Sequence, residues 1–192
     1  MARILVSGFE PFGGLDANAT GAAAQALDGS VIDGHRVHGL QLPCRFEAAP
    51  SLLVDSVQRL RPMLVLALGL APSRSGFALE RVAINLSDAR IPDNAGAQPQ
   101  DCPVLPGGPA AHFATLPVKA MVAALQAAAW PAALSHSAGT FVCNQVFYAL
   151  MQAVADRPQV RAGFMHVGPE LGPEAVAQGV RVALQAALAV RP

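Results

Sequence analysis

The chain has 192 residues, 53% of them hydrophobic and 14% charged, which is enough apolar material for a sizeable core and argues against disorder. Thirteen basic residues balance thirteen acidic ones, and no Lys/Arg stripe forms that could neutralise a phosphate backbone, so nucleic acid is not expected as a partner. The first apolar run breaks at Gly8, too early for a signal peptide, and Gln126 and Pro131 interrupt the Ala-rich stretch from Met121 to Leu134, so no membrane span is expected and residues 1–192 read as one cytoplasmic domain.

Arg3 to Ser7 reads as a first strand, closed by the glycine-rich Gly8-Phe9-Glu10-Pro11-Phe12-Gly13-Gly14. A helix over Thr20 to Leu27, a strand over Arg36 to Leu42, a helix over Glu47 to Leu60 and a strand over Met63 to Gly69 follow in turn. Val82 to Leu86 is a further strand-like run, while Pro92 to Pro109, rich in Pro, Gly, Gln and Asp, reads as a long surface excursion and not as a linker between domains. The remaining helices are expected over Pro117 to Ala129, Asn144 to Ala155 and Pro173 to Val190, with a strand over Gly163 to Val167 before the last. This alternation predicts a three-layer α/β/α sandwich built on a mainly parallel, twisted sheet. Sites in such sheets gather at the carboxyl ends of strands, where the Gly8 to Gly14 loop, the segment from Gly69 and the segment from His166 all fall.

Three cysteines, Cys44, Cys102 and Cys143, are odd in number and widely spaced, a pattern of free thiols in a reducing compartment. Cys143 stands where an apolar strand-like run meets a helix, and unpaired N–H groups at a helix N-terminus favour a thiolate. A sulfur attacking an amide carbonyl needs a base, a group to orient that base, and donors for the oxyanion. His166, at the end of an apolar run, can supply the base, and Glu80, read as the acidic start of the apolar run through Asn85, can fix its tautomer. Taken singly, each has a plainer reading: a packed cysteine, a structural histidine, and a Glu80 paired with its neighbour Arg81. The loop from Gly8 is no phosphate cradle, because Glu10 adds negative charge and no Lys-Ser/Thr ending follows. His35, His38, His112 and His136 lack metal-ligand spacing, so no metal is expected.

Several segments carry a resemblance. Gly8-Phe9-Glu10-Pro11-Phe12-Gly13-Gly14, Glu80-Arg81-Val82-Ala83-Ile84-Asn85, Asp88-Ala89-Arg90-Ile91-Pro92-Asp93-Asn94, Leu116-Pro117-Val118-Lys119 and Ser137-Ala138-Gly139-Thr140-Phe141-Val142-Cys143-Asn144 resemble, in order and spacing, motifs of the pyroglutamyl peptidase I family of cysteine exopeptidases. The resemblance covers nearly the whole chain. It implies removal of an N-terminal 5-oxoproline from peptides, with Cys143 as nucleophile, His166 as base and Glu80 orienting the ring. Arg90 is implied to support the thiolate or the oxyanion, with the Cys143 N–H as an oxyanion donor. Phe9 and Phe12 are implied to contact the lactam ring, although core packing beneath the loop is the plainer alternative, and Asn18, Leu70, Phe141 and Val142 complete the expected pocket. The resemblance further implies an α/β/α globule, commonly a homotetramer, that needs no metal or organic cofactor.

The chain also departs from the family pattern. Gly69-Leu70-Ala71-Pro72-Ser73-Arg74 stands where the family usually has Gly-Gln-Ala-Gly-Gly-Arg, so a polar side chain is missing at Leu70 and the loop is stiffened at Pro72 and Ser73. Ala19 replaces the proline that usually follows the asparagine, and Val167-Gly168-Pro169 after the expected base is atypical. These changes keep two alternatives open: a related amidase for another small acyl group, and a ligand-binding homologue whose chemistry has decayed.

Overall fold

The computed structural model describes residues 2–190. Its centre is four parallel strands, β1 (Arg3–Phe9), β3 (His35–Leu42), β4 (Leu64–Leu70) and β9 (Arg161–Val167), with β1 between β3 and β4 and with β9 beyond β4. Strands β1, β4 and β9 are buried along almost their whole length, as expected where helices cover both faces of a sheet. A short β2 (Val31–Ile32) turns back on β3 at one edge. At the other edge β5 (Phe77–Glu80) runs antiparallel to β9, and β8 (Ala132–Ser135) pairs parallel to β5, giving the order β2-β3-β1-β4-β9-β5-β8.

Helices α1 (Ala19–Leu27), α3 (Val118–Ala127) and α5 (Pro173–Ala189) pack together over one face, and α2 (Ala48–Leu60) and α4 (Val142–Ala153) over the other. The expected three-layer sandwich is therefore present. The approach of α1 to the sheet is close: a Cβ at Gly8 would stand 2.1 Å from the Thr20 carbonyl oxygen, so only glycine fits where β1 passes under the first turn of α1.

Two sequence expectations are corrected. Val82 to Leu86 does not join the main sheet; β6 (Val82–Ile84) pairs instead with β7 (Ala111–Phe113) in a separate two-stranded ribbon, and the sheet takes Phe77–Glu80. The chain leaves the sheet at Arg81, whose N–H donates to the Ser135 carbonyl while its own carbonyl accepts from Ala114. Glu80 is thus the last residue of a sheet strand and not the first of a longer one. Helix α4 also starts two residues earlier than expected, which puts Cys143 inside its first turn.

The Pro-rich excursion is a pinned coil. Asp93 accepts from the backbone N–H groups of Phe46, Ala95 and Ala97, Asn94 donates to Glu10 and to the Pro11 carbonyl, and Gln98 and Gln100 both donate to the Ala89 carbonyl. Among the described residues no helix is long and apolar enough to cross a membrane.

Candidate active site

At the carboxyl ends of β1, β4 and β9 a cleft of about 490 Å³ opens between the loop after β1, the loop after β4, the segment 88–91 and the start of α4. Phe12, Leu70, Phe141, Arg90, Cys143 and His166 all line it. A larger cavity of about 750 Å³ lies at the opposite end of the sheet, beside Arg3, Arg61 and Arg157, but it holds no cysteine, histidine or acidic side chain. Chemistry of the kind read from the sequence therefore belongs to the smaller cleft.

The strand register assembles its floor. In the antiparallel β5–β9 pair, Ala78 faces His166 and Glu80 faces Phe164, so Glu80 and His166 are diagonal neighbours on one face of the sheet. The Glu80 carboxylate, with no exposed surface, lies 2.8 Å from His166 Nδ1 through Oε1. A carboxylate only accepts, so Nδ1 carries the proton and the ring presents Nε2, with its lone pair, on the side of the cleft. Phe164 supports the ring at a centroid distance of 4.9 Å and packs in turn on Phe147 of α4 at 5.7 Å, contacts of a kind worth about 0.5–1.5 kcal/mol each.

Cys143 reaches this floor from the other layer. Helix α4 begins at an N-cap, Phe141, that makes no side-chain capping bond, so the amides of its first turn stay free for a ligand. The fully buried Asn144 locks that turn in place: its amide accepts from Ile84 N–H and donates to the carbonyls of Ile84 and Leu86. The sulfur rests over β4, where a Cβ at Gly69 would stand 2.8 Å from Sγ and 2.8 Å from Phe164 Cζ. Gly69 is the β4 partner of His166, so the missing side chain makes the slot that seats Sγ one strand spacing from the imidazole. Among the described residues no hydrogen bond joins Sγ to the ring, a contact of the kind that commonly tightens when substrate binds.

The expected lowering of the thiol pKa is reversed. Burial pushes the Cys143 thiol well above the usual cysteine range, Cys44 and the Glu80 charge push the same way, and only its own backbone N–H opposes them. Burial thus favours the neutral thiol over the thiolate at Cys143. Cys44 behaves alike, its thiol pushed up to about 12 by burial first and then by Glu10 and Asp93.

Other expectations fare differently. Arg90 is exposed on the cleft wall together with Asp88, and its guanidinium makes no ion pair or hydrogen bond among the described residues. Phe9, Asn18 and Val142 do not line the cleft. Phe9 and Val142 are core residues at 2% and 0% exposure, because a side chain on the buried face of β1 and one at the first position of α4 both point between layers. Asn18 is spent as the N-cap of α1, accepting from the N–H and hydroxyl of Thr20 and donating to the Glu10 carbonyl. The acid beside Arg81 pairs elsewhere: Arg81 lies over the Phe113 ring at 5.6 Å, and the guanidinium on Glu80 is that of Arg74, Nη1 to Oε1 3.2 Å. Sequence reasoning missed Arg74, Gly69 and Asn144 as site residues, although all three lie within the quoted segments.

Comparisons with known proteins point to one family. A family model described as pyroglutamyl peptidase matches residues 2–189. The pyrrolidone-carboxylate peptidase of Cupriavidus necator is 46% identical over 205 residues, covering 100% of this chain and 95% of the relative. That of Chromobacterium violaceum is 53% identical over 167 residues, covering 87% and 78%. Among solved structures, the pyroglutamyl peptidase I of Bacillus amyloliquefaciens aligns with a TM-score of 0.94 at 34% identity over 98% of this chain and 96% of that one. A mutant pyrrolidone carboxyl peptidase of Pyrococcus furiosus gives 0.93 at 37% over 97% and 98%.

Proposed function

The chain belongs to the pyroglutamyl peptidase family, and from that premise we propose that it is a cysteine exopeptidase hydrolysing the amide bond after an N-terminal pyroglutamyl residue of peptides. The observation that carries the reading is the convergence of Cys143 and of a Glu80-oriented His166 on one cleft at the carboxyl ends of the strands.

The steps follow from the protonation states. With the sulfur neutral at rest, His166 Nε2 takes the thiol proton as Sγ adds to the substrate carbonyl, and Glu80 stabilises the imidazolium that forms. The tetrahedral oxyanion is met by the free amides of the α4 first turn, the Cys143 N–H among them, with Arg90 adding positive charge at the cleft wall. The imidazolium returns its proton to the departing amine, leaving a thioester, and a water deprotonated at Nε2 then releases pyroglutamate and the thiol. No cofactor enters these steps.

The pocket favours a small uncharged ring. Phe12, Leu70 and Phe141 give apolar walls, and Phe12 and Phe141 stand 6.1 Å apart between ring centroids. An ordinary peptide N-terminus carries an ammonium, and seating it against Phe12, Leu70 and Phe141 costs several kcal/mol that an uncharged lactam avoids. Leu70 offers no side-chain hydrogen bond, so the lactam edge falls to main-chain groups of the loop after β4. Because Leu70 and Pro72 both line the cleft, a second reading follows from them: an amidase selective for another small acyl group. A homo-oligomer, tetrameric by the family resemblance, would cover apolar side chains such as Val31 and Phe113, which are 52% and 66% exposed. Three unbridged thiols fit a cytoplasmic location.

The test is steady-state hydrolysis of pyroglutamyl, prolyl and acetyl anilides, with and without prior thiol alkylation. Release from the pyroglutamyl substrate alone, lost on alkylation, is the expected result. Equal turnover of all three would support the second reading, and release that survives alkylation would remove the cysteine from the mechanism.

A further inference from the structure

We propose that Arg74 is a positioning residue that sets the basicity of His166 through Glu80, making the working unit a four-member chain Cys143, His166, Glu80, Arg74. This inference rests on the peptidase reading for its kinetic consequences but not for its titration. Three observations carry it. The Glu80 carboxylate has no exposed surface, and its Oε1 lies between two cationic-capable groups, His166 Nδ1 at 2.8 Å and Arg74 Nη1 at 3.2 Å. Glu80 Oε2 is buried with no partner among the described residues, so no other group balances the charge. Arg74 is itself held, with Nη2 donating to the Ser137 carbonyl at 2.6 Å and its side chain 29% exposed at the cleft.

The electrostatic consequence has a definite sign. A buried carboxylate facing an imidazole alone raises the affinity of the pair for a proton, because imidazolium is then the only counter-charge available. With the Arg74 guanidinium on the same oxygen, part of the carboxylate charge is already offset, and the pair holds a proton on the imidazole less tightly than it would without Arg74. The other groups around the ring leave this balance in place. Cys143 from α4 is a thiol, Asp88 and Arg90 stand together on the exposed wall, and Glu170, after β9, turns its carboxylate to the Gly76 N–H. Arg74 also spans two loops, the one after β4 that walls the pocket and the one before α4 that leads to the sulfur. The base, the lactam wall and the approach to the nucleophile thus share one guanidinium.

Arg74→Met and Arg74→Lys are to be compared with the parent by the pH profile of kcat/KM on a pyroglutamyl anilide and by NMR titration of the His166 ring protons. In Arg74→Met the acid limb and the ring titration both move to higher pH by about 1 unit or more, and at a pH on that limb kcat/KM falls a further tenfold or so beyond any loss on the plateau. Arg74→Lys, which restores the charge without the fork, returns both midpoints towards the parent. A lower plateau in Arg74→Met with both midpoints unchanged would overturn the proposal and leave Arg74 as a mere loop tie. If Arg74→Met does not fold, the Lys variant and an Arg74→Gln variant decide by the same midpoints, Gln keeping a polar side chain while losing the charge. If the parent hydrolyses no pyroglutamyl substrate, the peptidase reading fails, and the His166 titration alone still decides the role of Arg74.

Discussion

Two buried carboxylates in this protein are handled in opposite ways. Asp93, in the Pro-rich coil, is surrounded by three backbone N–H donors from Phe46, Ala95 and Ala97, which outweigh desolvation and, with Arg45 nearby, hold its carboxyl below the usual range. Glu80, beneath the cleft, receives no backbone donor among the described residues; it faces an imidazole and a guanidinium, and its Oε2 has no partner among them. Fixed amides cannot exchange protons with their acceptor, so Asp93 is a structural staple. An imidazole can, so Glu80 passes its charge to a titrating group. The lesson is that burial alone says little about a carboxylate, and the protonation chemistry of its partners says most.

The contrast can be broken from either side. The largest effect is expected at the group Glu80 serves: Cys143→Ala should remove hydrolysis by several orders of magnitude while circular dichroism stays unchanged. Glu80→Gln should lower kcat/KM by about 10²–10⁴, because a neutral amide neither fixes the tautomer nor stabilises imidazolium, whereas Asp93→Asn should leave the rate on a pyroglutamyl anilide within a few fold. Equal losses in the two would erase the distinction. Gly69→Ala sharpens the geometry: the new Cβ collides with Sγ and Phe164, and a displacement near 1 Å should cost about 10²-fold in kcat with little change in KM.

On the staple side the effects are in stability. Asp93→Ala strands the buried Phe46 N–H and frees the part-buried N–H groups of Ala95 and Ala97, and should lower the unfolding free energy by about 1–3 kcal/mol in urea titrations, with kcat/KM nearly unchanged. Because the folded Asp93 pKa is depressed, its contribution is present above the unfolded carboxyl value of about 4 and is lost as pH falls through the lower folded value. The asparagine variant should therefore lose less stability on acidification than the parent. The smallest effect lies at alkaline pH. The folded Cys44 thiol, raised to about 12, contributes stability below the unfolded thiol value and loses it as pH climbs. Between pH 7.5 and 9.5 this should cost about 1 kcal/mol, and Cys44→Ala should flatten that decline in chemical denaturation.

Particular residues show how much was legible beforehand. The α/β/α layering was readable because near-continuous apolar runs such as Leu64–Leu70 alternate with helical periodicity, a signal carried within each segment. The three chemical side chains, Cys143, His166 and Glu80, were readable because each is a reactive type placed at the edge of an apolar run. The membership of β5 was not readable. Phe77 to Ile84 holds two short apolar runs on either side of Glu80-Arg81, and only partner strands decide that Phe77–Glu80 enters the sheet while Val82–Ile84 leaves it. Phe9 and Phe12 show the same limit at shorter range, since three residues apart the first ends β1 and enters the core while the second, in the loop that follows, walls the cleft.

The sequence by itself determined the fold class, the family and the residue types from which a nucleophile, a base and an acid could be drawn, because these depend on local patterning and on the order of motifs along the chain. Only the tertiary structure decided which guanidinium faces Glu80, Arg74 six residues before it and not the adjacent Arg81, and that Gly69 is the seat of the sulfur. It also decided that burial pushes the Cys143 thiol up where the helix N-terminus by itself would bring it down. Each of these is set by strand register and by the depth of burial, quantities that arise when distant segments pack and that no single segment carries.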